Sequence, residues 1–262
     1  MSDTYARVMN SGDGPGNRRT ARSGAARRSG AVSGPKAGSA PLTTADTPAR
    51  SAGSPAEATF AAAVAAFQQG RSGQVHRDLT FEDVPAPKRL APYATAIAAT
   101  VQRDGEDVAW GRLVLLYDPD GQEGWDGIFR LVAYVRAEVE PEIAADPLLG
   151  EVGWSWLSDA LDEHVPGYAQ TSGTVTRVIT EGFGTKRDEP PLTGFELRAS
   201  WSPTAPAGRR RSGQTARAGG PGGADLSVID LPAHIAAWCD CLSAAAGLEP
   251  PGTRALRPPG RG

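Results

Sequence analysis

The stretch GIFRLVAYVRAEVEP, residues 127–141, decides the fold of this chain. Alternate positions in it are apolar, and these are Phe129, Leu131, Ala133, Val135, Ala137 and Val139. The positions between them are mostly polar, and these are Arg130, Val132, Tyr134, Arg136, Glu138 and Glu140. A period of two predicts a long strand with one face on a core and one face largely polar. This pattern is typical of an antiparallel sheet that has one solvated face.

The other elements are predicted from apolar periodicity and from capping residues. A capping box at Ser54 with a proline after it begins a first helix that Gly70 ends. Further strands are predicted at 79–84, 108–118, 171–182 and 193–202, and further helices at 92–101, after Asp146, and from Asp230 to Gly247. The order is α-β-α-β-β-α-β-β-α. It corresponds to an α+β, two-layer fold in which a mainly antiparallel sheet of about four to five strands packs against helices.

Composition separates one domain from three segments that lack core residues. Residues 1–53, 204–224 and 249–262 are rich in Gly, Pro, Ser, Ala and Arg, so we expect them to be disordered. Residues 54–248 are then a single domain with an Arg-rich insertion at 204–224. The net charge of -3 is also divided unevenly, because the domain without its insertion is acidic and all three segments are basic.

The basic arm formed by residues 1–53 suggests a nucleic-acid tether. The arm is poor in the aromatic residues on which bases stack. Nucleic-acid binding through this arm is therefore our weaker hypothesis.

The cysteines and the hydropathy pattern bear on the compartment. Cys239 and Cys241 are two residues apart on a predicted helix, so they point away from each other and cannot pair there. This favours a reducing compartment. No apolar run is long enough to span a membrane, and the N-terminus lacks the apolar region of a signal peptide. We expect a cytoplasmic protein without a membrane partner.

Known catalytic and cofactor motifs are missing from the sequence. It contains no phosphate-binding G-x-x-x-x-G-K-[ST] loop, no G-x-G-x-x-G after a strand, and no G-x-S-x-G elbow. His234 with Cys239 and Cys241 has the atoms of a zinc site, but the side chains diverge around one helix. We expect no catalytic residue of a known class, no metal and no cofactor.

The acidic residues at the end of the long strand form the best candidate cluster. Glu138 and Glu140 share a face of the predicted strand, about 7 Å apart. Paired carboxylates support acid catalysis or bind a divalent cation. Arg130 and Arg136 lie on the same predicted face, and Arg198 lies on the polar face of another strand. A cross-strand ladder of ion pairs is therefore the favoured interpretation.

Two tryptophans are candidates for a partner surface. Trp154 lies on the polar side of its predicted helix, whereas Trp156 belongs to the apolar stripe. Trp125 lies in the turn before the long strand. Exposed aromatic side chains commonly anchor protein partners. The alternative is that Trp125 folds back over the hairpin and that Trp154 contacts a neighbouring loop.

Several segments of the chain resemble one actinobacterial protein family. They are PAPKRLAPYATAI (85–97), GRLVLLYDP (111–119), WDGIFRLVAYVRAEVEPEIAADPLL (125–149), EVGWSWLSDAL (151–161), GTVTR (173–177), ELRASWSP (196–203) and HIAAWCDCL (234–242). The family is the domain of unknown function numbered three thousand. The resemblance implies a cytoplasmic actinobacterial protein and assigns no activity, cofactor or catalytic residue. The element order is also similar to that of the secretion-chaperone-like fold, whose members bind proteins.

These observations leave hypotheses from different classes. The first is a non-catalytic protein-binding module, adaptor or chaperone-like, whose partner-binding residues are Trp125, Trp154, Arg130, Arg136, Glu138 and Glu140. The alternative is an enzyme of an unrecognised class that uses Glu138 and Glu140 with Arg136 or His234. The absence of a known motif favours the first hypothesis.

Overall fold

A computed structural model describes residues 54–73, 78–206, 226 and 229–248. The arm at 1–53, the tail at 249–262 and nearly all of the insertion, which the sequence predicts to be disordered, lie outside the described residues. None of the helices within the described ranges combines the length and the apolar character that crossing a membrane requires.

Six strands and four helices make up the described part of the chain. The helices are α1 (Pro55–Gly73), α2 (Pro141–Ala145), α3 (Leu149–His164) and α4 (Leu231–Ala245). The strands are β1 (Leu79–Asp83), β2 (Tyr93–Arg103), β3 (Glu106–Tyr117), β4 (Phe129–Glu138), β5 (Tyr168–Thr180) and β6 (Leu192–Pro203), and a 3₁₀ turn (Gly184–Lys186) lies between the last two.

The strands form one antiparallel sheet in the order β1-β2-β3-β4-β6-β5. The predicted α+β class is confirmed, with six strands rather than four to five. The long strand of the opening sequence is β4, which lies inside the sheet between β3 and β6. Its central residue Val135 lies opposite Gly111 on one side and Leu197 on the other.

The predicted helix at 92–101 is wrong, because this segment is strand β2. Tyr93, Ile97 and Val101 are four residues apart, which fits a helix, but the same residues also share one face of a strand. Alanines fill most of the positions between them. Ala96 and Ala98 are buried on the other face of the sheet, where a small side chain is needed beneath a covering loop. Tertiary packing therefore overrides the helical preference of alanine.

The helices cover one face of the sheet, and the main core lies between the two layers. Helix α4 is central: the ring of Trp238 packs against Gly111, where an added Cβ would lie 2.8 Å from Trp238 Cζ2. As predicted, Ala133, Val135, Leu197, Trp201 and Trp238 are buried. Trp156 is only partly buried, with its ring 5.3 Å from that of Phe195.

The second face of the sheet is covered only at one end within the described part of the chain. A small apolar cluster forms there from Leu90, Ala96, Val114, Leu116 and Val132. The segments that cover it are residues 84–91 and the turn that carries Trp125. The side chain of Gln122 links these two segments, because its Nε2 donates to the carbonyl oxygen of Leu90 at 2.8 Å. The other end of this face is where polar and aromatic side chains reach the surface.

Candidate functional site on the second face of the sheet

The uncovered end of the second face carries two rows of side chains, which we call the open-face patch. In the first row, Arg112, Tyr134, Arg198 and Thr174 lie opposite one another across β3, β4, β6 and β5. In the second row the order is Trp110, Arg136, Glu196 and Thr176. Strand alternation turns all eight side chains to the same face.

Tyr134 is the centre of the open-face patch. The guanidinium carbon of Arg198 lies 5.5 Å from the centroid of the Tyr134 ring. On the other side, the ring of Trp110 meets Tyr134 edge-on, with centroids 5.6 Å apart. Both contacts are of types that stabilise protein surfaces. The three side chains are partly exposed, so they form a platform that solvent reaches.

The carboxylate of Glu196 orders this platform. Its Oε2 lies 3.1 Å from Arg198 Nη2. Burial, followed by the charge and the hydrogen bond of Glu196, raises the pKa of Tyr134 to about 12. The Tyr134 hydroxyl is therefore protonated at neutral pH. The ion pair of Glu196 with Arg198 and the contact of Arg198 with the Tyr134 ring connect the three side chains.

Arg112 marks the boundary between the patch and the covered end of the face. It is only 9% exposed, and its Nη2 donates to the carbonyl oxygen of Pro85. Its Nε has no hydrogen-bond partner within the described residues. Desolvation lowers the pKa of this guanidinium, but arginine remains charged near neutral pH. Arg112 therefore adds a buried positive charge to one wall of the patch.

The patch is a positive region on an acidic domain. The patch contains three arginines and one glutamate. By contrast, residues 56–203 and 225–249 together carry 27 Asp and Glu and 12 Lys and Arg. The patch presents two aromatic rings beside guanidinium groups. Such a surface binds a carboxylate together with an apolar or aromatic side chain.

Two of the predicted partner-binding residues lie on or beside the patch. Arg136 is exposed in its second row, and Glu138 is exposed one position further along the same face of β4. Within the described residues, the cross-strand ion pairs predicted for Glu138 and Arg198 are not formed. Glu138 lies opposite Gly194 rather than opposite a cation, and the ion pair that the patch does contain joins Arg198 to Glu196, two residues apart on β6.

Arg130 is not a solvated residue of the polar face, contrary to the prediction. It is 8% exposed, and its Nη2 and Nη1 lie 2.6 Å from Ser200 Oγ and 3.2 Å from Ser202 Oγ. The reason is that the turn between β3 and β4 folds back over this end of the sheet, where Asp126 N donates to the same Ser202 hydroxyl. Arg130 therefore holds the covered end together.

Glu140 does not share a strand face with Glu138, which corrects the predicted carboxylate pair. Strand β4 ends at Glu138, and Glu140 is the residue that precedes helix α2, with φ -60° and ψ 149°. Both side chains are exposed. The structure therefore does not place these two carboxylates together in a shielded site.

His234 lies on the opposite side of the sheet from Glu138. It is buried on helix α4, and its Nδ1 accepts a hydrogen bond from Trp201 Nε1 at 2.9 Å. Burial lowers the pKa of His234 to about 3, so the ring is neutral. Because Trp201 is on the helix-covered face of β6, the sheet separates His234 from Glu138. The structure therefore separates Glu138 from His234, whereas Arg136 and Glu138 share the exposed face of β4.

Cys239 and Cys241 are both free and buried on helix α4. Burial raises the pKa of each thiol, to about 12 for Cys241. In the part of the chain that the structure describes, no group of three His, Cys, Asp or Glu side chains is placed to hold a metal ion.

The two predicted anchor tryptophans are both partly buried, and neither lies on the open-face patch. Trp125 packs against the apolar cluster at the covered end. Trp154 packs over β5, since a Cβ added to Gly173 would lie 2.6 Å from Trp154 Cζ3. The two aromatic residues of the patch, Trp110 and Tyr134, are not among the partner-binding residues predicted from the sequence. Trp110 alternates with the apolar residues of β3 in 108–112, and Tyr134 lies on the polar face predicted for β4.

Comparison with known proteins identifies a family but no characterised relative. No curated protein matches the chain, and no solved structure matches it. A family model described as "Protein of unknown function (DUF3000)" matches residues 56–254, which is well over half of the sequence. The resemblance drawn from the sequence segments is confirmed, and the chain belongs to the DUF3000 family.

Proposed function

We propose that this protein is a non-catalytic protein-binding module, adaptor or chaperone-like, that receives an acidic peptide segment of its partner on the open-face patch. The observation that carries the proposal is that Arg198 and Trp110 each contact Tyr134, from opposite sides, on a partly exposed sheet face. Tryptophan, tyrosine and arginine are the residues in which binding energy concentrates at protein interfaces.

The rigidity of the patch supports binding. Its side chains stand mainly on the inner strands β3, β4 and β6, which are paired on both sides. Glu196 pairs with Arg198, and Arg198 in turn lies over the ring of Tyr134, before a partner arrives. A surface that is ordered in advance loses less conformational entropy on association, so more of the contact energy appears as affinity.

The charge pattern supports an acidic partner segment. Arg112, Arg136 and Arg198 create a local positive potential that attracts carboxylates, while the surrounding acidic surface repels them elsewhere. The guanidinium of Arg136 is exposed, unlike the deeply buried Arg112. Arg136 is therefore the residue that meets an incoming carboxylate first.

The protonation states in the patch favour binding over acid–base chemistry. Arginine does not release a proton near neutral pH, and Tyr134 has its pKa raised to about 12. The enzyme alternative that pairs the glutamates with His234 is weakened, since His234 and Glu138 lie on opposite faces of the sheet, and the version with Arg136 stays an untested alternative. Nucleic-acid binding through residues 1–53 stays a prediction, because these residues lie outside the described ones. The free thiols of Cys239 and Cys241 support a cytoplasmic location for the module.

A peptide selection tests the proposal even though the partner is unidentified. The full chain is immobilised and used to select from a random peptide display library. Enriched peptides are then labelled, and their binding is measured by fluorescence anisotropy. We expect enrichment of Asp and Glu beside an aromatic or large apolar residue.

Matched variants of the full chain identify the surface that binds the selected peptides. Arg136→Ala removes an exposed arginine of the patch, and Arg187→Ala removes an exposed arginine of the β5–β6 loop. We expect Arg136→Ala to weaken binding about tenfold, the effect of losing roughly 1.4 kcal/mol at a hot spot, and Arg187→Ala to have no effect. Selected peptides without acidic residues, or equal effects of the two substitutions, overturn the proposal.

A further inference from the structure

The two edges of the sheet differ in how well they are protected against pairing with another strand. Strand β1 has five residues, carries Glu82 and Asp83, and is soon followed by Pro85. Strand β5 has thirteen residues, of which only Arg177 is charged. Among the described residues β5 pairs with β6 alone. Short length, charge and proline protect an edge strand, so β1 is protected and β5 is open to a further strand.

Exposed apolar side chains surround the open edge. The large hydrophobic residues that are exposed in the described part of the chain all fall within 143–152 and 179–192, and they are Ile143, Leu148, Val152, Ile179, Phe183 and Leu192. The first segment is tied to β5, because Arg177 Nη1 donates to the carbonyl oxygen of Asp146 at 3.0 Å. Apolar exposure that concentrates at one edge marks an interaction surface.

We propose that β5 is a dimer interface, at which a second copy of this chain adds its own β5 in antiparallel register to form a continuous twelve-stranded sheet. The regular part of β5 is Ser172–Thr180, because a bulge lies between Ala169 and Ser172 and Gln170 has a φ of 54°. A two-fold axis through the middle of this segment, at Thr176, pairs all nine of its residues. The ladder is roughly 30 Å long by the rise of a strand.

This register brings compatible side chains together. Arg177 lies opposite the partner's Val175, so the two copies of Arg177 are diagonal neighbours rather than directly opposed, and each guanidinium is turned to the carbonyl oxygen of Asp146 in its own chain. Thr174 lies opposite the partner's Val178, and Ser172 opposite the partner's Thr180, and such pairs of small β-branched and hydroxyl residues favour strand association. A peptide of another protein needs this compatibility by chance, whereas a second copy has it through symmetry.

The same register gives the exposed Ile179 a place to pack. Ile179 is 56% exposed, and it lies opposite the partner's Gly173, on the face that the helices cover. Trp154 packs directly over Gly173 within each chain. The isoleucine side chain therefore occupies the space beside the glycine and contacts the partner's Trp154. The contact occurs twice, and it explains why a partly buried tryptophan stands beside a glycine at an open edge.

The two-fold symmetry determines where the helical layers of the two copies lie. A two-fold axis that makes neighbouring strands antiparallel is perpendicular to the sheet, so both helical layers lie on one side. The exposed apolar residues at 143–152 then approach their copies across the axis. They enlarge the contact towards the area of a stable dimer, which strand pairing alone does not reach.

Charge-swap variants of the full chain test the dimer. Thr176→Lys and Thr176→Glu each place like charges across the two-fold axis, and Thr80→Lys places a lysine at the matching exposed position of the other edge strand, β1. Mass is measured by light scattering after size exclusion, and folding is checked by circular dichroism. We expect the wild type and Thr80→Lys to have twice the chain mass, and each Thr176 variant to be monomeric and folded.

Mixing completes the test. Equal amounts of Thr176→Lys and Thr176→Glu should recover a dimer, because opposite charges then face each other. A wild type that is monomeric up to its solubility limit overturns the proposal. So does a Thr176→Lys protein that stays dimeric, a Thr80→Lys protein that dissociates equally, or a mixture that stays monomeric. A monomer that instead captures an added β-strand peptide at β5 also overturns it.

Discussion

The indole Nε1 of Trp201 donates a hydrogen bond to Nδ1 of His234 at 2.9 Å, between strand β6 and helix α4. Trp201 is 0% exposed and His234 is 1% exposed. The pair satisfies two polar groups inside the core and fixes the start of α4 on the sheet. It also requires the histidine to be neutral, since a protonated ring has no acceptor. His234 is therefore a structural residue whose protonation opposes folding.

The pH dependence of stability follows from this pair. Burial lowers the pKa of His234 from its ordinary value of 6.5 to about 3. Between these two pH values, His234 binds a proton in the unfolded chain but not in the folded chain. The contribution of neutral His234 to the free energy of unfolding is complete above pH 6.5. It declines as the pH falls, by at most about 1.4 kcal/mol per pH unit. We expect His234→Asn, which keeps an acceptor for Trp201, to lose this part of the slope.

The measurement is the free energy of unfolding by denaturant at several pH values from neutral to mildly acidic, for both proteins. Carboxylates contribute equally to the two curves, so the difference in slope isolates His234. Parallel curves over this interval contradict the account of the buried pair.

Two glycines of helix α3 should respond in opposite directions to alanine. A Cβ on Gly153 would lie 2.2 Å from Phe195 Cε2, whereas a Cβ on Gly150 has nothing within 4 Å. We expect Gly153→Ala to destabilise the protein by about 1–3 kcal/mol through overpacking. We expect Gly150→Ala to be neutral or to stabilise it by up to about 1 kcal/mol, the helical preference of alanine. Thermal unfolding of both variants measures the two effects. A Gly153→Ala protein as stable as the wild type would show that α3 does not lie this close to β6.

The tryptophans of the helical layer should differ in their contribution to stability. Trp238 is fully buried over Gly111, so we expect Trp238→Ala to cost about 3–5 kcal/mol. Trp154 is only partly buried, and we expect Trp154→Ala to cost much less. Denaturant midpoints give the comparison. Equal losses would mean that Trp154 belongs to the core and would remove it from any interface.

Glu196 should limit the affinity of the patch for an acidic segment. Its carboxylate neutralises part of the charge of Arg198, so we expect Glu196→Gln to bind a selected acidic peptide a few times more tightly at low salt. The gain should shrink as salt is added. The same change should lower the pKa of Tyr134, because Glu196 contributes to its elevation. Weaker binding by a folded Glu196→Gln protein would contradict this prediction, because the ordering of Arg198 by the carboxylate would then outweigh the charge that it neutralises.

Local patterns in the sequence predicted most of the fold. The alternation in residues 127–141 identified β4 and its core-facing residues. The capping box was also confirmed, since Glu57 N donates to Ser54 Oγ at 3.2 Å and Ser54 N donates to Glu57 Oε2 at 2.8 Å. The side chain of Asp230 accepts from Ala233 N at the start of α4. Strand β2 was missed because its alanine-rich sequence fits both the helical and the strand periodicity.

The candidate site was only partly predictable, because it depends on which strands are neighbours. Arg136 was recognised from one strand alone. Trp110 became significant only through the register that places it beside Tyr134 and opposite Arg136. Arg130 was misplaced for the converse reason, since alternation gives the face of a residue but not the loop that covers it.

The most direct test of the central claim is site-specific photocrosslinking of the full chain in its native cells. A photoreactive amino acid replaces Arg136 in the patch in one protein and Arg187 in the β5–β6 loop in another, both exposed positions. We expect a crosslink to a distinct protein from position 136 and not from position 187, with the attached peptide rich in acidic residues. Crosslinks from position 187 alone, none from position 136, or an attached peptide without acidic residues would contradict it.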